Sequence, residues 1–140
     1  MTVRPARLTD ADTIFEMLGR FATSYAPDRA VFDESLPQMI ADDRVTLLIA
    51  EEHTAAVGYV MAVEFQTLFA NGSVVQVEEL FVEEESRGRG MGRALLDTVL
   101  AWSRERQAVE VTVPTRRAGD YYERLGFERA AEYFRLRLTA

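Results

Sequence analysis

The sequence predicts an α/β fold, a sandwich of helices on a mixed sheet in the order β-α-α-β-β-β-α-β-α-β-β. Three observations carry this. Apolar runs of strand length recur at "VTLLIA", "VGYVMAVEF" and "VVQVEELFV". Two stretches, from Ile14 and from Met91, repeat their apolar residues with helical period. Polar and glycine-rich turns punctuate the segments without any repeat, linker or low-complexity tract. A chain of 140 residues is then expected to form a single domain over 1–140.

The elements follow in order. "TVRPAR" reads as a first strand. Thr9 and Asp12 stand at N-cap and N3 spacing before Ile14, Met17, Leu18 and Phe21, which gives an amphipathic helix. "SYAPDRAVFDES" reads as a loop, and Leu36, Met39 and Ile40 predict a short second helix after it. The next two strands form a hairpin about Glu51 to Thr54, and the third leads into "RGRGMG". A long helix runs from Gly90 to about Arg106, followed by the strand "AVEVTV", a short helix through "DYYERL" stopping at Gly126, and a closing strand "EYFRLRL".

Composition excludes several classes of function. A net charge of -7 and a pI near 4.8 disfavour nucleic acid and anionic membrane as partners. With no cysteine and a single histidine, His53, in a turn context, thiol nucleophiles and zinc sites are not expected, and no metal is predicted. "MTVRPARLTD" lacks the apolar core of a secretory signal, and "AAVGYVMAV" is about half a membrane span, so the expected location is cytoplasmic.

The turn between residues 82 and 92 concentrates the chemistry. A strand entering a helix through alternating glycines, Gly88, Gly90 and Gly92, exposes unpaired N–H groups at a helix start. The helix dipole and Arg87, Arg89 and Arg93 make it an anion site suited to phosphate. Neither the Walker A spacing nor the dinucleotide fingerprint fits.

Arg87-x-x-Gly90-x-Gly92, after "LFV" and before "RALL", resembles motif A of the GNAT superfamily of acetyl-CoA-dependent N-acetyltransferases. "AGDYYERLGF" resembles the superfamily's motif B, and "VRPARLTDAD" is similar to its opening strand and helix. The resemblance implies a mostly antiparallel mixed sheet flanked by helices. It implies acetyl-CoA as co-substrate, with pyrophosphate on the amides of Arg87, Gly88, Arg89, Gly90, Met91 and Gly92, near Arg93. Pantetheine would lie along the main chain of Leu80, Phe81 and Val82, in a gap opened by a bulge. Thr115 stands where the family has asparagine, and Glu84 where it often has proline.

Acetyl transfer needs a neutral amine, and deprotonating a lysine-like amine at pH 7 costs about 4.6 kcal/mol. Glu78 and Glu79 lie on the strand before the turn, and in a regular strand only one of them faces a given cleft. "EELFV" is similar to the corresponding stretch of diamine and polyamine N-acetyltransferases, which implies Glu78 as the proton acceptor. Motif B implies Tyr122 as the proton donor to the leaving thiolate. Without cysteine, direct attack in a ternary complex is expected. The implied acceptor is a small amine, with Asp28, Asp33 and Glu34 as candidate attractants for a cation. A peptide acceptor and a non-catalytic acetyl-CoA-binding module are the alternatives. Phe134, Leu136 and Leu138 fall on one side of the closing strand and are expected in the monomer core, with a sheet edge or a homodimer contact as the alternatives.

Overall fold

The computed structural model describes residues 1–139. Strand β1 (Thr2–Pro5) leads through a 3-10 turn, Leu8–Asp10, into helix α1 (Ala11–Phe21). Helix α2 (Arg29–Ala41) and strands β2 (Val45–Glu52), β3 (Ala55–Gln66) and β4 (Ser73–Val82) follow. A second 3-10 turn, Glu84–Ser86, precedes helix α3 (Met91–Glu105), strand β5 (Glu110–Thr112) and helix α4 (Gly119–Arg124). The sheet order is β1-β2-β3-β4-β5, antiparallel except for the parallel pair β4–β5. Helices cover both faces.

Under α3, Leu95, Leu96 and Val99 meet Val60, Val75 and Val77, all essentially solvent-free. Each such aliphatic side chain stabilises the fold by about 1.5–3 kcal/mol. On the other face α1 and α2 set Ile14 and Leu36 over Ile49, and Met17 over Tyr59 and Phe81. The alternation of β3 therefore feeds two cores, Val60 to one side and Tyr59 to the other.

The first helix starts differently from the expected Thr9 cap. Asp10 accepts from the Arg7 N–H at 2.7 Å and from both Arg4 Nη atoms at 2.8 Å, so the carboxylate rather than a threonine hydroxyl organises the entry. The neighbouring guanidinium holds the Asp10 carboxyl below its ordinary range.

Helix α2 begins inside the stretch read as loop. Asp28 caps it, its Oδ1 accepting from the N–H groups of Ala30 and Val31. Pro37 lies within the helix; its ring nitrogen carries no hydrogen, which removes one rung of the ladder. The expected short helix is thus the second half of a longer one.

At the other end the correction goes the opposite way. Five strands form among the described residues, and "EYFRLRL" is not one of them. Tyr133, Phe134, Leu136 and Leu138 are 70–93% exposed. Alternation supports a strand when one face is covered, and here β5 offers only three residues of edge. Arg137 instead donates to the Ser24 carbonyl at 3.2 Å and stacks over Tyr25.

The short helix α4 stops at Gly126, φ +99°, as the sequence predicts. Gly119 has a further reason to be small, because a Cβ there would sit 2.9 Å from an Arg129 guanidinium nitrogen. That guanidinium pairs with Asp120 and Glu123.

Candidate active site

The site begins with a bulge. Met61 pairs with Glu79 but the next residue of β3, Ala62, pairs with Val77, so Glu78 is an extra residue in β4. Before it, Val75 and Val77 face α3; after it, Leu80 and Val82 do. The phase change gives Glu79 and Phe81 to the face covered by α1 and α2.

Hydrogen-bond direction fixes what the main chain offers. Glu83 donates to the Val57 carbonyl at 2.7 Å, and the two-residue repeat of an antiparallel ladder turns Phe81 toward β3 as well. Leu80 and Val82 then direct their N–H and C=O groups to the opposite edge. Strand β5 pairs there only with Val74, Val75 and Gln76, which leaves the edge open from the bulge onward. Val82 shows this openness directly, since its carbonyl accepts from Arg87 Nε at 2.9 Å.

The edge runs out at the start of α3. Gly88 and Gly90 have φ of +79° and +84°, a region that costs an L side chain about 1–2 kcal/mol. Gly90 caps the helix in this conformation, and the first N–H groups of the 15-residue helix from Met91 lack carbonyl partners one turn back. Met91 itself is buried and anchors the turn. Gly92 is small for another reason: a Cβ would lie 3.1 Å from the Tyr121 hydroxyl.

The three arginines are engaged locally. Arg87 also lies over the Phe81 ring at 6.0 Å, Arg89 pairs with Glu52 at 2.9 Å, and Arg93 pairs with Asp97 at 3.3 Å. Arg89 and Arg93 remain more than half exposed, so these pairs are weak and exchangeable. Free edge, left-handed glycines and helix start form one continuous line of main-chain donors and acceptors. It fits an extended chain ending in phosphate.

Helix α4 brings Tyr122 into the core beneath α3, against Tyr121 and Phe127 at ring distances of 5.3 and 5.6 Å. Burial pushes its hydroxyl up to about 12. It therefore stays protonated at every pH relevant to amine chemistry. No closed-off side-chain nitrogen or oxygen among the described residues lacks a partner. Thr115 Oγ1 accepts from the Ala118 N–H at 3.1 Å, which makes it a turn-forming group at the entry to α4.

The two glutamates divide in a way that sequence alternation does not foresee. Glu78 is exposed and accepts from Gln76 Nε2 at 2.7 Å. Glu79 lines a cavity of about 220 Å³ between α1, α2 and the sheet, and its Oε1 accepts from the Tyr59 hydroxyl at 2.8 Å. Glu78, the proton acceptor that the resemblance implies, is the extra residue of the bulge and points to solvent, while Glu79 faces the cavity. Burial pushes the Glu79 carboxyl up, the Tyr59 hydroxyl opposes the rise, and the Glu78 charge adds to it. Tyr59, also raised by burial, is missed by the sequence reading because it sits in an uninterrupted apolar strand.

Of the three acids named as attractants for a cation, Asp28 reaches the cavity wall but is committed as a helix cap. Asp33 pairs with Arg29 at 2.8 Å, and Glu34 is exposed. No group of three or more His, Cys, Asp or Glu is disposed to hold a metal among the described residues. No helix among them is long and apolar enough to cross a membrane.

Comparison with known proteins agrees with this arrangement. An uncharacterized N-acetyltransferase of Chlorobaculum tepidum is 31% identical over 133 residues, 94% of this chain and 79% of that protein. Another, from Methanocaldococcus jannaschii, is 37% identical over 59 residues, which span 39% of this chain and only 26% of its own length. Among solved structures, glucosamine-6-phosphate N-acetyltransferase from Arabidopsis thaliana superposes with a TM-score of 0.87 at 15% identity, covering 99% of this chain and 98% of the other, a likeness of fold. The profile of the acetyltransferase (GNAT) family matches residues 11–127. A mixed five-stranded sheet opened at β4, a glycine turn into α3 and a profile match through Phe127 make this chain a member of the GNAT acetyltransferase family, and hence an acyltransferase.

Proposed function

We propose that the protein moves acetyl from acetyl-CoA to the amine of a small metabolite by direct attack in a ternary complex. The observation that carries the proposal is the meeting of two features at one bulge. The free main-chain edge at Leu80 and Val82 lies beside a half-open cavity whose wall includes Glu79. A concave, mostly apolar cavity of about 220 Å³ suits the body of a metabolite.

Acetyl-CoA, when bound, supplies the thioester. Leu80 and Val82 would hold its arm through main-chain groups, with the Val82 N–H aimed at the acyl oxygen. The amides of Arg87 to Gly92 and the side chain of Arg93 would hold its phosphates. Tyr122 Oη carries the proton for the departing sulfur. The nitrogen–carbon bond forms as the carbon–sulfur bond breaks, and the amine proton leaves by the carboxylates at the bulge, with exposed Glu78 as the outlet to water.

A panel of polyamines, aminoglycosides, amino acids, simple monoamines and peptides, read by free-thiol release, tests this function. Acetylation confined to peptides would overturn the metabolite reading. Acetyl-CoA binding without turnover on any acceptor would favour a non-catalytic module. All 16 basic side chains are arginine, so no lysine of the enzyme itself can take up acetyl and blur the readout.

A further inference from the structure

We infer that the acceptor is a primary monoamine with an uncharged, apolar body, its ammonium set against Glu79 and Tyr59 and its body lodged between α1, α2 and the sheet. The inference rests on the acetyl-acceptor reading of this cavity and narrows it to a class. Ile14, Leu18, Phe32, Leu36, Leu47 and Met61 supply an almost wholly hydrocarbon wall. Two acids reach it, Asp28 and Glu79; Glu79 has a hydroxyl partner, and neither has a basic partner among the described residues.

The Glu79 carboxylate is partly buried, where other acids of the sheet have arginine partners. Arginines hold Asp10, Asp12, Asp33, Glu51, Glu64 and Glu83. A partly buried charge without a counter-ion is unfavourable, and a ligand ammonium is the partner of the right sign and size. Burial lifts the Glu79 carboxyl, in keeping with a missing cation. The second acid on the wall, Asp28, is engaged differently, as the cap of α2. It already accepts two N–H groups of that helix. A second ammonium would be desolvated against hydrocarbon, whereas a methyl or phenyl end would be stabilised there.

Calorimetry with 2-phenylethylamine, n-hexylamine and 1,6-diaminohexane, on free and on acetyl-CoA-loaded protein, tests the inference alongside thiol release. Either monoamine should bind and react at least tenfold better than the diamine. Glu79→Gln should weaken monoamine binding at least tenfold while acetyl-CoA affinity is unchanged. Val31 is 61% exposed at the cavity wall in the first turn of α2, where an acid is well tolerated. Val31→Glu should therefore narrow the preference by giving the diamine's second charge a partner.

Equal or better binding of the diamine to wild type would overturn the inference. So would unaltered monoamine binding in Glu79→Gln. Turnover of polar amines or peptides with both monoamines refused would sink this inference and leave acetyl transfer standing. Acetyl-CoA binding with no acceptor acetylated would remove the acceptor reading itself.

Discussion

Tyr59 and Glu79 are joined diagonally across strands β3 and β4, beside the bulge, by a 2.8 Å hydrogen bond, hydroxyl donating to carboxylate. The pair ties the floor of the cavity under α1 and α2 to the strand whose other edge is open. It holds the carboxylate in a place that folding alone would not favour.

The first prediction concerns that cost. The folded carboxyl of Glu79 titrates above its unfolded value. Its proton therefore stabilises the fold in acid, and that stability is lost as pH rises through the folded pKa. Glu79→Gln keeps an acceptor for Tyr59 without the charge. At pH 7 the variant should be more stable than wild type by about 1 kcal/mol, with the gap closing toward pH 4. Thermal unfolding at both pH values checks this, and a variant less stable at pH 7 refutes it.

Tyr122 gives a kinetic test. Tyr122→Phe should lower turnover by about 100-fold or more, the usual scale of a lost proton donor, with acetyl-CoA affinity unchanged. Because the hydroxyl is held up at about 12, wild-type turnover should rise with the free-amine fraction and show no loss from Tyr122 deprotonation between pH 8 and 10. Its raised value also favours the fold below about pH 10, with that stabilisation lost as pH rises toward 12. Unaltered turnover in the phenylalanine variant would remove the assigned role.

The glycine turn can be probed by its backbone. Gly90→Ala meets no atom within 4 Å but must adopt φ +84°, a strain of about 1–2 kcal/mol. Stability should fall by that amount, and acetyl-CoA affinity should fall with it as the helix start relaxes. Isothermal titration and thermal melts on the same preparation separate the two effects. Gly92→Ala has an ordinary backbone and instead presses on the Tyr121 hydroxyl at 3.1 Å, so any damage it does should be relieved by Tyr121→Phe.

Away from the site, the β2–β3 hairpin carries His53 and Thr54 at φ +53° and +66°. Two successive left-handed residues are the geometry of a tight hairpin turn, and threonine is a poor occupant. Thr54→Gly should raise stability by about 1 kcal/mol without touching activity, as chemical denaturation and thiol release would show.

What could be read in the sequence was whatever depends on local pattern. The helical period from Met91 to Trp102, the glycine turn and the stop at Gly126 all appear in the structure. The family resemblance implied a bulge without its position; the apolar alternation of "VQVEELFV" shifts phase at the two glutamates, from Val75 and Val77 to Leu80 and Val82, but does not say which glutamate is the extra residue. Helix α2 was half hidden because its first half carries no strong apolar stripe and its second half contains Pro37. "EYFRLRL" shows the converse error. It alternates from Phe134 to Leu138, yet an alternating segment becomes a strand only where a neighbour accepts its edge, and Arg137 leads this one toward Ser24.

On the cofactor placement proposed above, Arg87 resting on the Val82 carbonyl would turn nucleotide uptake into an exchange rather than an addition. The incoming arm has to displace a donor already in place, and the released guanidinium recovers its loss only if a phosphate follows. A bare acetyl-pantetheine fragment should dislodge it without recompense. Arg87→Ala ought therefore to help the fragment while harming the full nucleotide, and identical effects on both would show that the latch is idle.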